Sequence, residues 1–141
     1  MSNPFAGTWT YRSFLNNPAL TDGDPAKLAA LLFAEAIWTV QDTAPDVFQG
    51  QLSFGPNNIM DLLGVITAAA AGNVPHVHIV GKGRAGTPTA QLFYDYDGSL
   101  TEKWPEGVNQ VSAITGSVIR MKPHDGQPAG LVASFIAVKS S

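Results

Sequence analysis

Residues 47–55, VFQGQLSFG, alternate apolar and polar side chains. Phe48, Leu52 and Phe54 fall on one face, Gln49, Gln51 and Ser53 on the other. Successive side chains of an extended chain point to opposite faces, so this period commits the segment to a half-buried strand. It also predicts Phe48, Leu52 and Phe54 on the inside. The same period, with aromatic and β-branched residues, recurs in GTWTYRSF (7–14), IMDLLGVIT (59–67), VPHVHIVGK (74–82), TAQLFYDYD (89–97), SAITGSVIRMK (112–122) and LVASFIAVK (131–139). LLFAEAIWTV (31–40) has helix-favouring Ala and Leu, but Ala34, Ala36, Trp38 and Val40 alternate with Glu35, Ile37 and Thr39. It reads as a strand from about residue 32.

The links between these runs are mostly short and carry Gly, Pro, Asn or Asp, the residues of tight turns. In the first link, LNNPALTDGDP, Asp24 and Pro25 read as the N-cap and first position of a short helical turn over AKLAA. A longer loop, GSLTEKWPEGVNQ, follows the sixth run. Parallel sheets need helical crossovers, and these links are too short to hold them. The pattern therefore predicts an all-β fold of one domain over residues 1–141, an eight-stranded antiparallel up-and-down β-barrel with one short helical turn between strands one and two. Closure removes the two edges an open meander would leave unpaired. A two-sheet sandwich is the rival architecture.

Function classes narrow on composition. Of 141 residues only 13% are charged, the formal net charge is −3, and the eight basic residues are scattered. A nucleic-acid footprint is not expected on such a surface. With no cysteine there are no disulfides or thiolate metal sites. The opening MSNPFAGTWTYRSF lacks a basic stretch followed by an apolar one, and no run is long enough to span a bilayer as a helix. The expectation is a cytoplasmic protein with no membrane or nucleic-acid partner. Low charge and LVASFIAV, apolar on both faces, lead to the expectation of a homo-oligomer.

GTW at Gly7, Thr8 and Trp9, opening the first of eight strands, resembles the calycin superfamily of lipocalin- and avidin-like barrels. That resemblance implies a Trp plugging the closed end, often under an Arg from a late strand, and a small hydrophobic ligand in the barrel mouth. Arg120 in GSVIRMK is the candidate partner, although the strand directions place it nearer the other end. A minority of similar barrels are enzymes, including isomerases and cyclases.

Two of the three histidines occupy alternate positions in NVPHVHIVGK. His76 and His78 project to the same face, roughly 6–7 Å apart along the strand. Facing inward, they are an acid–base pair or a metal pair; facing outward, with Val77 and Ile79 inside, they need no functional explanation. Asp95 and Asp97 return close to them from the next strand, as does Glu106 from the loop beyond, and two histidines with a carboxylate is a recognised iron or zinc set. His124 falls at the opposite end of the barrel and cannot complete a three-histidine site. No metal or other cofactor is the favoured expectation. Glu35, amid FAEAIW, is a general base if it faces the interior and a solvated residue if the alternation holds; Asp61 poses the same alternative. GKGRAG (81–86) has no helix after it and reads as a hairpin, not a phosphate loop. Trp104 in the long loop reads as a lid, a subunit contact or a barrel plug.

Two functions follow. The first is binding of a small, largely apolar molecule inside the barrel, with Trp38, Phe48, Phe54 and Tyr94 lining the cavity. The alternative is a barrel enzyme, an isomerase, cyclase or lyase, using His76 and His78 with Asp95 or Glu35.

Overall fold

The computed structural model describes residues 3–42, 44–67, 74–102 and 110–140. Eight strands run in chain order: β1 (Gly7–Phe14), β2 (Leu32–Val40), β3 (Val47–Ser53), β4 (Ile59–Thr67), β5 (His76–Gly83), β6 (Phe93–Thr101), β7 (Ala113–Arg120) and β8 (Val132–Lys139). Each pairs antiparallel with its neighbours in sequence, and β8 pairs back onto β1 from Trp9↔Lys139 to Phe14↔Ser134, closing the barrel. Beyond the ladder, the Ser140 amide donates to the Thr8 carbonyl at 2.8 Å. The up-and-down order expected from the alternation is the observed one, and the sandwich is excluded.

Burial follows the period of two. On β5 Val77 and Ile79 are fully buried while His76 and His78 are exposed, and on β4 Met60, Leu62, Gly64 and Ile66 are inside. Gly64 faces Phe48 across the β3–β4 ladder, and the Phe48 ring occupies the space a Cβ there would fill. The β1–β2 connection is built from two 3₁₀ helices. Asp24 caps the second, Pro25–Leu31, accepting from the Ala26 amide at 3.0 Å, with Pro at the first position as the sequence indicates. The first, Pro18–Thr21, is capped in the same way by Asn17.

Five strands differ from their expected bounds: β5, β7 and β8 by no more than two residues at either end, and β3 and β6 with consequences for the interior. β6 starts at Phe93, because Thr87 and Thr89 hold the preceding segment in turns through bonds to Arg84 and Ile59, and it continues through Gly98 to Thr101. β3 ends at Ser53, and Phe54 enters the turn in which its amide donates to the Asn58 carbonyl. Phe54 is consequently 37% exposed, a correction to the interior position its parity implied.

One end of the barrel is filled. Phe5 and Trp9 are fully buried there, the Trp9 indole donates to the Phe5 carbonyl at 2.9 Å, and the Phe5 ring lies 6.1 Å from that of Phe48. Asn3 ties this segment to the β2–β3 turn through Asp42, at 2.9 Å. The cation over Trp9 is Lys139, at 5.6 Å from the ring; Arg120 lies at the other end, so the Trp9–Arg120 contact implied by the resemblance is not made. A layer of rings crosses the middle of the barrel. Tyr11 stacks on Trp38 at 5.2 Å, Tyr96 stands edge-on to both, and Phe135 packs within 5.8 Å of all three. An eight-stranded barrel has room for filling side chains or one small ligand. Here the lower two layers take the first option.

Candidate functional site

Above the ring layer, at the end formed by the β1–β2, β3–β4, β5–β6 and β7–β8 connections, the barrel opens into a cavity of about 330 Å³. Tyr11 and Tyr96 form its floor, and Phe33, Phe54, Leu92, Tyr94 and Val118 contribute to its wall. Two polar side chains complete it, Arg120 from the end of β7 and His124 from the turn beyond.

Each wall residue arrives by a specific local feature. On β2 the register slips against β1: Ser13 faces Ala34 and Phe14 faces Leu32, leaving Phe33 as the extra residue of a bulge. Bulges at barrel rims re-aim side chains, and Phe33 borders the cavity although its parity is that of the outward Glu35 and Ile37. Arg120 shares parity with Ile114 and Val118, both inward, so its guanidinium is carried inside and is only 6% exposed. It lies 5.4 Å from the Phe33 ring and 6.0 Å from that of Tyr94. Its Nε donates to Tyr94 Oη and its Nη1 to the Pro128 carbonyl, both at 3.3 Å. His124 is held by Asp125, whose Oδ2 lies 3.0 Å from Nε2, and by reciprocal backbone bonds with Gln127. Its Nδ1 is buried without a hydrogen-bond partner among the described residues.

Burial pushes the Tyr11 and Tyr96 phenols well above the ordinary tyrosine value of 10.0; for Tyr96 its neighbours Tyr11 and Tyr94 add to the effect. Both are neutral hydroxyls at any physiological pH. The floor is therefore polar only through uncharged groups, and among the described residues the one buried cation at the mouth is Arg120.

Of the residues expected to line a cavity, Tyr94 lies in the wall and Phe54 at the exposed lip. Trp38 is one layer down, fully buried, its indole N–H without a partner among the described residues, and Phe48 belongs to the filled end. The expected acid–base set lies elsewhere. His76 and His78 project from the outer wall, where His76 Nε2 meets Asp97 and Nδ1 meets Ser99, and His78 Nε2 lies 3.3 Å from Asp95. These are diagonal and direct neighbours across the β5–β6 ladder. Glu35 is also outside, 3.3 Å from its cross-strand partner Arg12. Asp61 makes a bidentate pair with Arg84, which holds its carboxyl below the usual carboxylate range. An interior acid–base role for His76, His78, Asp95 and Glu35 is corrected by these positions: the wall of the barrel separates all four from the cavity. Among the described residues no three His, Asp or Glu side chains are grouped to hold a metal ion. Trp104 and Glu106 lie outside the described residues.

A larger hollow, about 610 Å³, lies against the outer wall, bordered by Gln49, Gln51, Asp61, Leu63, Val80 and Lys82. It is bordered mainly by outward side chains of the strands and has no aromatic wall, which makes it the poorer place for a small ligand. Sequence reasoning placed Arg120 at the end away from Trp9 but not in the cavity lining, although the parity of VIR held the signal; Phe33 and His124 depend on a bulge and a turn that parity does not register.

Set against protein-family models, curated proteins and solved structures, the chain matches none of them. No helix among the described residues is long and apolar enough to cross a membrane.

Proposed function

We propose that this protein binds a small, largely apolar organic molecule in the mouth of a calycin-like barrel, without covalent chemistry. The observation that carries the reading is the cavity itself: about 330 Å³ above a floor of neutral phenols, walled by Phe33, Leu92 and Tyr94, with few polar groups. Apolar walls with a small number of placed polar atoms are the usual build of a small-molecule site. The filled far end, with Trp9 at its centre, leaves one way in and supports the calycin-like comparison.

The test is titration with the neutral fluorophore N-phenyl-1-naphthylamine. Saturable binding at one molecule per chain is expected, and Ala34→Trp, which fills the cavity from its wall, abolishes it. Absence of saturable binding, or binding unchanged in Ala34→Trp, refutes the reading.

A further inference from the structure

The charge at the mouth is not balanced. Arg120 is almost wholly buried, yet no carboxylate oxygen among the described residues lies within the 4.0 Å of an ion pair. Its two hydrogen bonds, to Tyr94 Oη and to Pro128, are both long for a charged donor and both go to neutral oxygens. Among the described residues, most of the guanidinium fork is left unclaimed. The other two arginines behave differently: Arg12 has Glu35, Arg84 has Asp61, and both pairs stand on the outside. A cation withdrawn from water without a counter-charge is unfavourable, and it is placed where a ligand would enter.

Resting on the reading of the mouth as a small-molecule site, we propose that the ligand is an organic monoanion, a carboxylate on an apolar body of one or two rings. Arg120 takes the carboxylate. Its planar fork matches the two oxygens, and Phe33 and Tyr94 beside it hold the guanidinium in place. Tyr94 accepts from Arg120 and keeps its own hydroxyl proton to donate to the same anion. The ring body lies over Tyr11 and Tyr96, between Leu92 and Phe54. One buried positive charge balances one negative charge, which favours a carboxylate over a doubly charged phosphate. With Asp125 on Nε2, His124 leaves its buried Nδ1 at the same cavity as a second polar partner. A hydroxyl next to the carboxylate fits that position.

Calorimetric titration with 2-naphthoate, its methyl ester and 2-naphthyl phosphate decides this. The acid is expected to bind about tenfold tighter than the ester, the scale of one charge-assisted bond over a neutral one. Arg120→Met removes that advantage, so that acid and ester bind alike. The comparison of acid with ester in the unaltered protein needs no variant, so misfolding of Arg120→Met leaves the test intact. Equal binding of acid and ester overturns the carboxylate, as does tighter binding of the phosphate, while either result keeps the cavity as a binding site. Binding of N-phenyl-1-naphthylamine with no binding of the naphthoate overturns this inference alone. Failure of all four compounds overturns both readings.

Discussion

Replacing Arg120 by Met weighs what the buried guanidinium does for the empty barrel. Burying it costs several kcal/mol after relaxation. Against that stand two hydrogen bonds of 3.3 Å, each worth about 1.5 kcal/mol, and the contact with the Phe33 ring, worth about 1 kcal/mol. The two sides nearly cancel. Met fills similar space, and its thioether keeps a contact of about 1 kcal/mol with the same rings. The Pro128 carbonyl belongs to an exposed residue and can turn to water. The ligand-free variant is therefore expected to equal the wild type or exceed it by up to about 2 kcal/mol. At this chain length that is a rise in Tm of no more than about 8 °C. Urea and thermal unfolding followed by circular dichroism measure it directly. A loss of more than about 2 kcal/mol would refute the reasoning, because Arg120 would then be a structural tether and its isolation would call for no ligand.

Three further outcomes follow from the same structure. Gly64→Ala drives a methyl into the Phe48 ring, which is itself packed against Phe5; a loss of about 1–3 kcal/mol is expected in urea unfolding, and Phe48→Leu in the same chain recovers part of it. The raised phenols of Tyr11 and Tyr96 leave stability unaffected below about pH 10, where both states hold their protons. Above it the unfolded chain ionises and the folded one does not, so stability falls by about 1.4 kcal/mol per pH unit for each phenol; tyrosinate absorbance from these two that precedes unfolding would contradict their burial. Changing His76 and His78 together to Ala removes two solvent-exposed pairs and is expected to cost no more than about 1 kcal/mol. The affinity for N-phenyl-1-naphthylamine stays unchanged in that variant, and a loss of binding would mean that the outer wall takes part in the site.

Strand parity made most of the barrel legible. β1 and β4 have the bounds read from their alternation, and Val77 and Ile79 take the interior that His76 and His78 were also candidates for. The sixth strand was legible, but its end was read four residues early, at Asp97, because Gly98 reads as the opening of a loop. In the barrel it faces inward, where a Cβ would come within 2.9 Å of the Phe135 ring, so the glycine makes room for an aromatic instead of a turn. Local sequence cannot separate these two uses, because the neighbour that decides between them is distant in the chain. The site was less legible for a related reason. Histidines drew attention to β5 as chemistry-bearing residues, while the mouth is assembled from a bulged Phe33, an arginine at a strand end and a histidine in a turn. Only the closed ring brings these together.

The joint between β1 and β8 is a ladder like the other seven, and residues 8 and 140 meet there through a backbone hydrogen bond. The fold thus records a cyclic order of neighbours, and where the chain is cut is a separate matter. A short linker across that joint would allow the chain to be reopened at the Gly55–Asn58 turn, next to Phe54. Circular permutation of this kind would move both chain ends from the filled floor to the rim of the cavity, where a fused reporter could sense occupancy.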